Sequence, residues 1–579
     1  MSLGATHHPS SHGAGTSGEH FAALRAFVQQ PRQQLLARLS YGLRQPLFRT
    51  PLYRLLLAGR GPTALKVTPS DPWPGNAEAG SAIIQGNFTL LGSTVRRPMP
   101  LWLPIEISRR WSEEINSFSW LRDLRAAGGD TARRTARQLV AAWVDANRRW
   151  HPITWDPQVT GRRLANWLGQ YDFFAASADV EFRHRLLREM AFQARHLNKI
   201  LPAGLSGGRA IGALKGLIYA GICLPDAESC RQRGLTLLRD AMAQQILADG
   251  GHIERSPRRH LEVLRDLIDL RAALVAAELE VPDDLHATIE QMAPVLRLLQ
   301  HGDGGLALFN DSGEEADWQV DLVLQRAGGR GRPLASAPIS GFQRLQAGRS
   351  LLIVDAGAPA PSGFDEAAHA GTLSFEMSVG RERLIVNCGA QASDGEWRTV
   401  QRGTAAHSAL VVAETNSSQV VPGDGLGRRP NNVTCRREET EGSIWLELSH
   451  DGYLASHGLV HHRRLYLSSS GEDLRGEDRL EGKGGGRVEA GYAVRFHLHP
   501  AAQASLSQSG DTVLLRLPRG DGWRFYARGA ELRLQPSIYL GMAGTIRRSQ
   551  QIVLSGATES GAATIKWAMK REAKPRAKR

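Results

Sequence analysis

Residues 341–357 read GFQRLQAGRSLLIVDAG, and here the chain changes its hydrophobic period. Apolar side chains begin to alternate or run in short β-branched stretches, broken by Gly, Asp and Ser. Upstream, TARQLVAAWVDANRRW (135–150), GRRLANWLGQYDFF (161–174), FRHRLLREMAFQARHLNKIL (182–201) and RQRGLTLLRDAMAQQILA (231–248) repeat them at three and four spacing instead. That is the helical period, and between Ser117 and Leu299 it implies at least six helices. Their short connections carry Gly or Pro, as in LPAGLSGG and ILADGGHIERSP, which suits consecutive antiparallel helices rather than β-α-β units. Downstream, TLSFEMSVGRERLIVNCG, HSALVVAE, SIWLELSH, LVHHRRLYLSS, YAVRFHLHP and TVLLRLP continue the alternation, predicting an antiparallel sandwich. The switch falls between 325 and 340, with QRAGGRGRPLASAP as linker.

A chain of 579 residues exceeds the roughly 250–300 that one hydrophobic core serves, so division into domains is expected. The expected divisions are a basic helical region (1–60), a helical domain (61–330), a β domain (331–566) and a basic tail (567–579). Within 61–80, Pro and Gly predict irregular structure leading into a strand-like SAIIQGNFTLLG. The 71 Lys and Arg against 58 Asp and Glu give +13, a bias that draws polyanions without choosing among them. No zinc-finger spacing, aromatic RNA-binding signature or P-loop is present, so no specific nucleic-acid partner is expected. In LLARLSYGLRQPLFRTPLYRLLL (35–57), basic and apolar faces could rest on a membrane surface. The polar N-terminus has no signal-peptide core, so cytoplasmic residence is the direct expectation. Four cysteines without a CxxC pair predict no disulfide framework. Nothing in the sequence fixes an oligomeric state.

Three local sequences occur in a telling order: DGGHIERSPRRH (249–260), HAGTLSFEMSVGRERLIVNCG (369–389) and RGTAAHSALVV (402–412). They resemble the heparinase II/III family of polysaccharide lyases, over residues 115 to 500. The resemblance implies an N-terminal incomplete α/α toroid followed by a C-terminal antiparallel β-sandwich. It also implies β-elimination on an acidic, uronate-containing glycan, such as a glycosaminoglycan or exopolysaccharide, in a cleft between the domains, and a cell-envelope or periplasmic setting. Such chemistry needs a base for the proton beside the uronate carboxylate, a group that neutralises that carboxylate, and an acid for the departing oxygen.

Carried over, the family pattern departs from its usual form. Arg259 stands where the catalytic tyrosine usually stands, followed by His260, and an arginine stays protonated at neutral pH. Gly208 and Arg209 replace the amide or histidine that meets the substrate carboxylate, leaving Arg209 to offset its charge. His369 and His407 match two recurrent histidines. With an acidic residue these hold a structural zinc in some relatives; here the third position is Asn387, a poorer ligand. A tyrosine of some relatives is Gln391 here. The expected catalytic set is therefore His252, Arg259, His260, His369 and His407, with zinc on His369, Asn387 and His407 as a further expectation. Arg162, Arg163, Asn166, Trp167, Arg209, Glu254 and Arg402 are expected to bind substrate. Ser256 and Pro257 look like a helix start, so His252 and His260 could instead organise that turn. The loss of tyrosine leaves a second reading open: a non-catalytic member that binds an acidic exopolysaccharide or its lipid-linked precursor.

Overall fold

The computed structural model describes residues 32–96, 101–102, 108–328, 331–390, 396–422, 424–483, 489–542 and 544–572. Gln391, most of the basic N-terminal region and the last seven residues lie outside them. From Arg32 to Arg326 the named elements among the described residues are helices, apart from one short hairpin in which Asn87–Leu90 pairs with Ser93–Arg96. The segment expected to be irregular up to Gly80 turns helical at Ala77, because Asn76 caps Ala77–Ile84 by accepting from Glu78 N and Ala79 N. Only the second half of SAIIQGNFTLLG is strand.

Polar caps start the helices that build the cleft. Asp156 accepts from Gln158 N at 2.9 Å at the head of Pro157–Gly169, and Ser256 Oγ accepts from Arg259 N at 3.3 Å at the head of Pro257–Ala276. Between these two lies Gly207–Cys223, buried at every position except Arg209. A Cβ on Gly216 would stand 2.1 Å from the Gly161 carbonyl oxygen, so only glycines permit this crossing. The close approach brings Arg162 beside Gly212. Trp111, Trp120, Trp143 and Trp167 fill the helical core.

The sandwich consists of an eight-stranded and a nine-stranded antiparallel sheet. In the first, Leu459–Leu467 and Asp473–Gly482 alternate buried and open residues, as a sheet with one solvated face should. In the second, Ser350–Asp355 and Phe375–Val379 are buried throughout. One face meets the other sheet, while the other meets the helical domain. Leu351, Ile353 and Phe342 pack there with Val295, Leu298 and Phe309. The unbroken apolar run LLIV is the mark of a strand covered on both sides.

The expected basic tail starts too early. Trp567 lies inside strand Ala562–Arg571, stacks on Phe375 at 5.8 Å and donates from Nε1 to Asp478 Oδ2 at 3.0 Å. Pairing on both sides, with Asp473–Gly482 and Gly522–Arg528, holds this basic-looking segment in the sheet.

Candidate functional site

The domains meet over a cleft of about 210 Å³. Helix Arg109–Ser117 supplies Arg110, Glu113 and Glu114; Pro157–Gly169 supplies Arg162; Gly207–Cys223 supplies Arg209; the first turns of Pro257–Ala276 supply Arg258, Arg259 and Glu262. The loop after Phe309 and the segment before His369 close it with Asp311 and Glu366. The described ionisable lining residues are all arginines or carboxylates.

These charges pair with one another. Arg162 meets Glu114 at 3.0 Å and Arg258 meets Glu315 at 3.3 Å. Arg259 contacts Glu254 at 3.3 Å and also Glu262. Asp311 sits between Arg398 at 2.8 Å and Arg110 at 3.2 Å. Its position depends on left-handed backbone at Asn310 and Asp311, with φ of 48° and 61°. Arg209 is held more loosely, 3.5 Å from Asp156, 3.8 Å from Glu366 and 3.9 Å from Glu113. Burial pushes the Asp311, Glu366 and Glu114 carboxyls up, but the facing arginines outweigh it and hold all three below their ordinary values. Burial likewise lowers the Arg259 guanidinium, yet Glu262 and Glu254 raise it overall. Low-pKa carboxylates and fixed cations are poor proton acceptors.

The expected histidines lie elsewhere. His252 is 2% exposed; its Nδ1 accepts from Glu254 N and its Nε2 meets Gln245 Oε1, both at 3.3 Å. His260, equally buried, donates from Nε2 to the Met292 carbonyl at 2.9 Å. Burial takes His260 down to about 4 and His252 well below the ordinary histidine value. Neither lines the cleft: the His252 ring bonds within the turn before Pro257, whereas the His260 ring ties helix Pro257–Ala276 to the Met292 carbonyl of helix Asp283–Leu298.

His369 and His407 are brought together, as the resemblance implied, but inside the protein. Asp311 N donates to His369 Nε2 at 3.0 Å. His407 Nδ1 lies 2.8 Å from the Gly403 carbonyl, which requires a proton there and leaves Nε2 as acceptor. His369 Nδ1 therefore donates to His407 Nε2 across 3.2 Å. All four ring nitrogens are used by neutral rings, and burial drives His407 down to about 4 and His369 well below its usual value. Asn387 Oδ1 accepts from Ser408 N at 2.9 Å. The ring acceptors of both histidines are taken by donors and Asn387 offers only an amide oxygen that already accepts from Ser408 N, so this donor set does not fit zinc as arranged.

Other expected binding residues are structural. Arg163 is fully buried, 4.0 Å over Trp143, and donates to Gln193 Oε1, Thr154 O and Asn116 O. Trp167 lies in the same aromatic core. Asn166 donates to Ser117 O at 2.8 Å. Glu254 caps Gly207–Cys223 by accepting from Gly208 N at 2.7 Å. Arg402 donates to the carbonyls of Ala368, Val421 and Gly425. Of the expected residues, the cleft retains Arg162, Arg209 and Arg259. Sequence reasoning missed Arg110, Glu114, Asp311, Glu366 and Arg398; the paired RR and EE of SRRWSEEINS were the available signal.

Comparison with known proteins places this geometry in a family. Residues 132–326 match the heparinase II/III N-terminus model and 329–568 the heparinase II/III-like C-terminal model. FtsZ-localized protein C of Caulobacter vibrioides is 31% identical over 541 residues, covering 89% of this chain and 92% of that protein. A heparin-sulfate lyase of Bacteroides thetaiotaomicron is 23% identical over 234 residues, 36% of this chain and 33% of that one. The crystal structure of heparinase III superposes with a TM-score of 0.72 at 15% identity, covering 90% of this chain and 88% of that one. Heparan sulfate lyase from Pedobacter heparinus gives 0.57 at 15% identity, covering 98% and 92%. With both halves matched in order and a full-length relative, the chain belongs to the heparinase II/III-like family and has its polysaccharide lyase fold.

Proposed function

We propose that this protein binds an acidic, uronate-containing glycan, or the lipid-linked precursor of one, in the interdomain cleft without cleaving it, as part of envelope assembly. The observation that carries this reading is the cleft's composition. Its described ionisable groups are arginines and arginine-paired carboxylates, while the histidines of the family motifs lie outside its lining, and the pair His369 and His407 is neutral, buried and fully hydrogen-bonded. A proton beside a uronate carboxylate needs a competent base, and a carboxylate held below its ordinary pKa is a weak one.

Binding has better means. Arg209 reaches its three carboxylates only at 3.5 to 3.9 Å, and the Glu366 side chain is 54% exposed. A ligand carboxylate can take the place of Glu366 on the planar guanidinium fork. The Caulobacter relative, by its name, is localised with FtsZ, which favours work at a cell-division site over breakdown of free polymer. The competing reading, β-elimination by a rearranged site, draws on the heparinase III fold.

Titration calorimetry against uronate oligosaccharides and uncharged analogues of equal length tests the proposal. Selective binding of the uronates, weakened about tenfold or more in Arg209→Ala, is expected for loss of one charge-assisted contact. Equal affinity for charged and uncharged ligands would overturn it.

A further inference from the structure

Seven of the eighteen exposed large apolar side chains among the described residues fall between Leu36 and Leu56. On helix Arg32–Phe48, Leu36, Leu39, Leu43 and Leu47 follow the i, i+3, i+7, i+11 spacing of one stripe, and Leu43 is 84% exposed. Helix Pro51–Leu57 adds Leu52, Leu55 and Leu56. A concentration of this kind on a folded surface marks an interaction site.

The toroid does not cover these leucines because its contact uses the other side of the pair. Phe48 packs on Tyr53 at 4.9 Å and His196 at 5.4 Å, Tyr53 Oη lies 2.9 Å from His196 Nδ1, and Arg195 donates to Leu57 O at 2.7 Å. Leu57 itself is fully buried. The helices are thus anchored with their leucines turned outward.

Charge selects the occupant. Residues 32–60 contain arginines at 32, 38, 44, 49, 54 and 60, and no Asp, Glu or Lys. A second copy of the same surface would bring arginines against arginines with no carboxylate from this segment to offset them. An anionic bilayer takes both features: leucines enter the acyl boundary while guanidiniums meet lipid phosphates. None of the described helices is long and apolar enough to cross a membrane.

We propose that Arg32–Leu57 is a docking surface for an anionic lipid bilayer, on which the helix pair lies in the plane of the interface. This inference is independent of what the cleft binds. Sedimentation of the full chain with vesicles of phosphatidylcholine alone, and of phosphatidylcholine with phosphatidylglycerol, reads it directly. Binding that requires the anionic lipid and falls with added salt is expected. Leu39→Asp with Leu43→Asp, and separately Arg32→Glu with Arg44→Glu, should each lower the partition coefficient about tenfold or more, with unchanged melting temperature. These positions are exposed, so folding is not at stake. Absence of binding to anionic vesicles, or full binding by both variants, would overturn the proposal. So would a soluble dimer that the leucine variant dissociates, which would assign the stripe to a second copy.

Discussion

Arg162 and Arg163 are neighbours in sequence with opposite surroundings. Arg162 reaches the cleft, its side chain 41% exposed and paired with Glu114; Arg163 turns the other way into an aromatic core with no exposed surface. The same division separates the paired charges of the cleft from the neutral pair His369 and His407. One helical step, or the far side of one loop, decides whether a polar group meets ligand or supports fold. Removing a buried, fully bonded group strands its partners, whereas removing a screened one loses little.

The largest predicted effect follows from Arg163→Ala. It strands two carbonyls and Gln193 and leaves a gap beside Trp143, so chemical denaturation should show a loss of about 3 kcal/mol or more in the helical domain. Burial already lowers the Arg163 pKa to about 9, showing how little solvent the guanidinium sees. His407→Ala comes next. It breaks the bonds to Gly403 and His369, and should cost about 2 kcal/mol while leaving glycan affinity within about twofold.

A pH titration of stability sharpens the contrast further. His260 and His407 titrate near 4 in the folded protein and near 6.5 when unfolded, so the unfolded chain binds more protons between those values. Their contribution is complete above pH 6.5 and is lost as pH falls toward 4. Asp311 and Glu366, held below the usual carboxylate range, lose theirs only at lower pH, below about 4. Two separate acid limbs are expected, and His407→Ala should shallow the upper one. The smallest stability effect belongs to Arg162→Ala, within about 1 kcal/mol for a partly exposed ion pair. A loss as large as that of Arg163→Ala would mean that Arg162 supports the fold as Arg163 does.

The period switch at GFQRLQAG made the two-part fold legible, since period follows from which faces are buried. The three motifs made the family legible. The cleft was legible only in its arginines: Arg209 and Arg259 were found because the family pattern pointed to their positions. Which histidines are dry depends on packing between segments far apart, such as Met292 against His260, and no local pattern reports that. Asp311 and Glu366 escaped for a related reason. Their role comes from cross-domain pairing with Arg398, Arg110 and Arg209, not from spacing along the chain.

The most direct test of the central claim is the ultraviolet absorbance of the conjugated double bond that β-elimination creates, followed while the full chain is incubated with uronate polymers it binds. A cleft that binds without cleaving gives bound polymer and a flat trace. A sustained rise that disappears in Arg209→Ala would contradict it and establish the cleft as a lyase site.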